Sequence, residues 1–319
     1  MNRFSALVGR RLIGIVPVLL GASLIVFLLL HLAPGDAATT LLGPLASEEA
    51  KEALRREMGL DQPFFVQFGR WLWAVLGGDF GMSIAARRPV IDVVVPRFWN
   101  TLLLGGASLL LALAVGLSVG IAAASRPGSL LDRAASAVIA VIGSIPPFWL
   151  GLVLVAFFAL QLRWLPATGM TSVTGNGGLV DILWHLPLPT IATAAIPAAV
   201  ITRMVRATML EILSADYIQV ARAKGIPRHT ILYRHALRNA LPPIVTIVGL
   251  QLGYLIGGAL FTEVVFAWPG LGQQLYSSIV ARDVPMVQAA VLLIAASFVL
   301  INAFVDILNQ FLDPKGSHG

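Results

Sequence analysis

The 319-residue chain is 57% hydrophobic and only 12% charged, where a soluble domain carries about 25% charged residues. With a mean hydropathy of +0.85, this excludes an ordinary soluble enzyme and an intrinsically disordered chain and places the protein in a bilayer, where the formal charge of +6 becomes a question of which side holds it. The absence of cysteine removes disulfides, thiolate nucleophiles and cysteine-based metal sites from consideration.

Long stretches without Asp, Glu, Lys or Arg locate the spans. They lie between Arg11 and Asp36, Arg97 and Arg126, Arg133 and Arg163, Asp181 and Arg203, Arg238 and Glu263, and Asp283 and Asp306. Each exceeds the roughly 20 residues that cross a hydrocarbon core. The expectation is an all-α membrane protein with six spans, at 12–32, 100–125, 134–160, 187–205, 241–262 and 285–308. The first is read as an uncleaved helix, because its apolar stretch is too long for a signal peptide and Leu32-Ala33-Pro34-Gly35 is a poor cleavage context. Two shorter charge-free segments, 164–180 and 264–281, carry too many turn and polar residues to face lipid and read as extramembrane or re-entrant loops.

Six spans put the N-tail (1–11) and C-tail (309–319) on one side. That side holds 13 of the 22 basic residues and five of the 16 acids, concentrated in short loops. The positive-inside rule makes both termini cytoplasmic. The outer segment 33–99 then reads as a small folded cap. Ser47 can cap a helix with Glu48 and Glu49 in its first turn, Arg55 and Arg56 in its last and Gly59 beyond. After Pro63, Phe64, Phe68, Trp71, Leu72 and Val75 recur at helical spacing, suiting either the outer interface or packing within the cap.

Ser108, Ala112, Gly116, Gly120 and Ala124 in the second span, and Gly249, Gly253 and Gly257 in the fifth, recur at intervals of four. That spacing suits close helix packing, or a smooth face along a moving path. Pro146 and Pro147 in the third span and Pro197 in the fourth each remove a backbone donor, so those helices should kink or break.

The inner loop 206–240 holds the densest basic cluster. Met209–Lys224 reads as a helix, Gly225 as its left-handed stop and Pro227 as the first position of a second helix reaching about Ala240. A rigid basic hairpin beside two spans can contact lipid headgroups through Arg234 and Arg238 or dock a cytoplasmic partner. It is too tightly tethered to read a DNA groove, so no nucleic-acid partner is expected.

The sequence Tyr217-Ile218-Gln219-Val220-Ala221-Arg222-Ala223-Lys224-Gly225, with Arg234-His235-Ala236-Leu237-Arg238-Asn239-Ala240-Leu241-Pro242 after it, resembles the EAA loop of binding-protein-dependent ABC importer permeases in its dipeptide and oligopeptide form. Leu60-Asp61-Gln62-Pro63, Gly78-Asp79-Phe80-Gly81-Met82-Ser83, Trp164-Leu165-Pro166-Ala167-Thr168-Gly169 and Glu263-Val264-Val265-Phe266-Ala267-Trp268-Pro269-Gly270-Leu271-Gly272 are similar to further segments of the B-type subunit. The resemblance implies the type I importer permease fold with a permease core over 98–308, in a bacterial inner membrane. It also implies a second, C-type permease, two ATPase subunits and an extracytoplasmic binding protein as partners beside membrane lipids. ATP and Mg would sit on the ATPases and no cofactor on this chain. ATPase coupling is expected of Tyr217, Gln219, Ala221, Lys224, Gly225 and Arg228. Packing or path roles are expected of Gly116, Gly120, Pro146, Gly249, Gly253 and Gly257. Gln219 and Val220 stand where the general pattern has its acid and first alanine, a departure shared by the peptide group.

A nucleotide-binding P-loop needs a glycine before its lysine, and Lys51, Lys224 and Lys315 follow Ala50, Ala223 and Pro314. His31, His185, His229, His235 and His318 are scattered and form no metal motif. Neither an ATPase nor a membrane hydrolase fits. The alternative from another class is an ion-coupled secondary transporter or channel, which ordinarily holds ionisable residues within the membrane. Here Arg203, Glu263 and Asp306 are expected only at span edges.

Overall fold

A computed structural model describes residues 3–32, 39, 42–43, 45–57, 59–172 and 177–312. Ala33–Gly35, part of the cleavage context considered for the first span, and the tail from Asp313 lie outside them. The described residues are helical apart from connections and one isolated bridge, Met82 to Pro89. In chain order the helices are α1 (Arg3–Leu32), α2 (Glu48–Glu57), α3 (Phe64–Leu76), α4 (Val90–Ser125), α5 (Leu130–Ser144), α6 (Pro147–Gln161), α7 (Leu179–His185), α8 (Pro187–Ser214), α9 (Asp216–Ala223), α10 (Arg228–Gly258), α11 (Leu260–Val265), α12 (Leu271–Val280) and α13 (Val284–Leu312).

Among the described residues α4, α8, α10 and α13 are each long and apolar enough to cross a membrane. The third expected span is not one rod. α5 and α6 meet at 100° across Ile145 and Pro146. Pro147 opens α6 at a position where its missing N–H costs nothing, while Ile145 is extended, as a residue preceding proline must be. Pro197 behaves differently, since α8 runs through it without a break. The helices also outrun the expected spans. α4 starts ten residues early and is about 54 Å long at 1.5 Å per residue, longer than a hydrocarbon core of about 30 Å is thick. The segment 264–281, expected as loop, contains α12.

The chain divides into two compact units, residues 1–100 with 269–299, and 101–268 with 300–319. In the first, α2 is capped by Ser47, whose hydroxyl accepts from the N–H of Ala50, and ends at Gly59 with φ +66°. One face of α3 meets α1: Phe27 packs against Phe64, Phe68 and Trp71 at centroid distances of 5.4 to 5.5 Å. The opposite face, with Phe65 and Trp73, is exposed. The turn before α4 is tied down by Asp283, which accepts from the Ser83 hydroxyl at 2.5 Å, from the N–H groups of Ile84 and Ala85 at 3.2 Å, and from Met286 N–H in the first turn of α13. Both Ser83 and Asp283 are buried, so a carboxylate that caps a helix also anchors a loop 200 residues away in sequence.

In the second unit α8 is the central helix. Of its most apolar window 72% is buried, against 33% for α10. The stripe from Ser108 to Ala124 on α4 is buried throughout. A Cβ built on Gly116 would stand 2.5 Å from Ile201 Cγ2, and one on Gly120 2.8 Å from Val205 and 3.0 Å from the Thr202 carbonyl. These glycines let two helix backbones approach where lipid supplies no hydrophobic drive. Gly249 packs in the same way onto Val305, and Gly253 is buried. Gly257 is exposed with nothing within 4 Å of a built Cβ, so the fifth-span stripe packs only over its first two members. Glu263 gains a partner that its place in the sequence does not reveal. It stands just past the expected fifth span, fully buried within the protein, and it accepts from the Thr101 hydroxyl at 2.6 Å.

Candidate functional site: the basic hairpin between α8 and α10

The hairpin is built by α8, α9 and the start of α10. Met209–Lys224 is not the single helix expected, because α8 ends at Ser214 and Ala215 is extended (φ −67°, ψ 148°) before α9 begins. No glycine or proline marks that break. Ser214 instead turns its hydroxyl back to the Glu211 carbonyl, and the Ala215 carbonyl accepts from Ile218 N–H. α9 therefore turns away from the axis of α8 as a separate short helix.

Its far end is closed by a six-residue helix stop. Ile226 N–H donates to the Ala221 carbonyl and Gly225 N–H to the Arg222 carbonyl, at 3.2 and 2.9 Å, with Gly225 left-handed at φ +74°. This is the Schellman arrangement, completed by apolar contact of Ile226 and Ala221 in a cluster with Ile218 and Ile231. Pro227, expected as the first helical residue, is extended at ψ 143° and flanks α10, which starts at Arg228. α10 passes through a π-helical segment at Ile231–Ala236 and then through Pro242 and Pro243 without ending.

The expected coupling residues separate by face. Tyr217, Gln219, Lys224, Gly225 and Arg228 are exposed. Ala221 is buried, in the apolar cluster with Ile218 and Ile231. Tyr217 is steadied by Asn239, whose amide donates to its hydroxyl at 3.0 Å. Val220, not among the expected coupling residues, is 53% exposed beside Gln219, which leaves an apolar side chain in a rim of polar and basic ones. Pro146 lies in the α5–α6 bend, well removed in sequence from the hairpin.

Two charged residues that sequence reading missed brace the hairpin. Asp132, 3% exposed, accepts from Arg206 Nε at 2.5 Å and Nη2 at 2.9 Å, and from Gly128 N–H at 2.9 Å. The Arg206 guanidinium, then the Gly128 N–H, hold the carboxyl down at about 2 against an ordinary 3.8, and the same bond raises Arg206. Ser129 caps α5 by accepting from Asp132 N–H, a serine and acid three apart that a closer reading of helix caps could have found. On the other arm, Arg228 donates to the Ser125 carbonyl. Among the described residues no cluster of three or more His, Asp or Glu is placed to hold a metal ion.

Comparison with known proteins adds the family. Residues 116–318 match the binding-protein-dependent transport system inner membrane component family, and residues 1–105 match the N-terminal region of such membrane components. The chain is 40% identical over 325 residues to the dipeptide transport system permease protein DppB of Alkalihalophilus pseudofirmus, covering 96% of this chain and 97% of that one. It is 42% identical over 306 residues to the glutathione transport system permease protein GsiC of Escherichia coli K12, covering 96% of each. A chain of the MetNI methionine ABC transporter, solved in inward-facing conformations, shares the fold at a TM-score of 0.56 and 24% identity, over 70% of this chain and 97% of that one. Family descriptions, apolar helices and fold agree: the chain belongs to the binding-protein-dependent transport system inner membrane components, as an integral membrane permease subunit of the ABC importer type.

Proposed function

We propose that the chain forms half of the translocation path of an ATP-driven importer for dipeptides or short oligopeptides, and that its 206–240 hairpin receives the force of ATP hydrolysis. The observation that carries this reading is the hairpin itself. A short helix is set off from α8, locked by its glycine stop and backed by an apolar cluster, and it presents Tyr217, Gln219, Val220 and Lys224 outward. A stiff tip with one apolar and several polar side chains suits a protein cleft better than a lipid surface. The hairpin side, with both termini, is cytoplasmic, in keeping with the basic residues it holds.

The partners are two ATPase subunits that bring ATP and Mg, a second permease of the C type and an extracytoplasmic binding protein. Peptide cargo is supported by the names of relatives at about 40% identity over nearly the whole chain, with glutathione as another small peptide in that set. A secondary transporter is disfavoured by family membership.

The test is ATPase activity of the reconstituted importer with binding protein preloaded with di- and tripeptides. The expected result is stimulation by loaded binding protein that is lost in Gly225→Trp, while the permease remains membrane-inserted. There is open space around a built Cβ at Gly225, but its φ admits an L-residue only at a cost of about 1–2 kcal/mol. Normal peptide transport by Gly225→Trp would overturn the docking assignment.

A further inference from the structure

Both arms of the hairpin reach one short turn. On the incoming arm Arg206, eight residues before the end of α8, makes a two-point bond to Asp132. On the outgoing arm Arg228, at the start of α10, donates to the Ser125 carbonyl. Ser125 is the last residue of α4 and Asp132 lies in the first turn of α5, so the two flank the short connection between those helices. That turn is itself rigid, because Asp132 accepts from Gly128 N–H while Ser129 accepts from Asp132 N–H. Between the turn and the hairpin lies a cleft of about 700 Å³ whose lining is mixed, with Ser125, Arg222 and Arg228 beside Pro127, Leu213 and Leu232. Polar ties from both arms to this turn add to the apolar packing in which Ala124, at the end of α4, shares a cluster with Met209 of α8 and Ala236 of α10.

We propose that the 125–132 turn is the receiving element of the hairpin, with Asp132 as the positioning residue that makes turn and α8 stem move as one body, so that displacement of the tip is delivered to α4 and α5 as well as to α8 and α10. This rests on the docking reading above. A bidentate guanidinium–carboxylate pair suits such a joint because it fixes angle as well as distance, which a single contact does not. α5 meets α6 at the 100° bend, so a rotation delivered at Asp132 acts on the helix leading into that bend.

The experiment uses the complete importer in lipid nanodiscs with its binding protein. Asp132→Asn keeps an acceptor for Gly128 and removes the charge facing Arg206. It is expected to copurify with the ATPases and to hydrolyse ATP at the basal rate. Stimulation by loaded binding protein should fall about fivefold or more, the low end of ordinary coupling between sites. Unchanged stimulation would overturn the proposal. The chain has no cysteine of its own, so Asp132→Cys with Arg206→Cys can be joined by a short bis-methanethiosulfonate, single-cysteine variants serving as controls for the partner subunits. If turn and stem move together, the linked pair recovers the stimulation that the unlinked pair lacks. If the linked pair stays as unstimulated as the unlinked one, fixing turn to stem does not restore coupling and the proposal fails. Should Asp132→Asn not assemble, the linked pair alone decides by the same two outcomes. Failure of the docking reading appears separately, as normal transport by Gly225→Trp.

Discussion

Three donors converge on the Asp132 carboxylate, and they set its pH behaviour. A carboxyl held at about 2 in the fold against 3.8 when free contributes stability that is fully present above the free value and is lost as pH falls toward 2. The difference in unfolding temperature between wild type and Asp132→Asn should therefore be flat from neutral pH down to about 4 and shrink below that. Thermal unfolding of the purified permease across that range measures it, and a difference that changes around neutral pH would point to another group. The glycines make a second contrast at this scale. Gly120→Ala drives a methyl against Val205 and the Thr202 carbonyl, and overpacking of this kind costs about 1–3 kcal/mol. Gly257→Ala meets nothing within 4 Å and gains helix propensity, so its stability should be unchanged or slightly raised. Comparing the two in one thermal assay tests whether the four-residue spacing or the actual contact matters.

For single elements, legibility in the sequence follows the range of the chemistry. The stop at Gly225 and the cap helix after Ser47 rest on residues within one turn of each other, and both can be read from the chain. The Ile145–Pro146–Pro147 break is equally local, though its 100° is set by what α5 and α6 pack against. The separation of α9 at Ala215 was not legible, because no glycine or proline marks it. The Asp132–Arg206 tie and the burial of Glu263 against Thr101 join residues 74 and 162 positions apart. A rule that defines spans by missing charge places Glu263 at an edge but says nothing of the side chain that meets it there. The Asp283 anchor is of the same long-range kind. Asp283→Ala removes its bonds to Ser83, Ile84, Ala85 and Met286 together. Hydrogen exchange of residues 83–90 should rise by an order of magnitude or more, since each lost net hydrogen bond to a charged group is worth about 1.5–3 kcal/mol. Unchanged protection would mean that the turn is held by its own backbone bonds.

At the scale of the whole molecule, the positive charge that marked the sequence as unusual is gathered largely on one hairpin, and the hairpin is stiff, braced and outward-facing. The most direct measurement of its role is photocrosslinking in the assembled importer, with benzophenone-bearing residues placed singly at Gln219, Lys224 and the exposed Trp73. Capture of an ATPase subunit is expected from Gln219 and Lys224 and none from Trp73. Capture of the ATPase from Trp73, or its absence from both hairpin positions in a complex that still transports, would contradict that role.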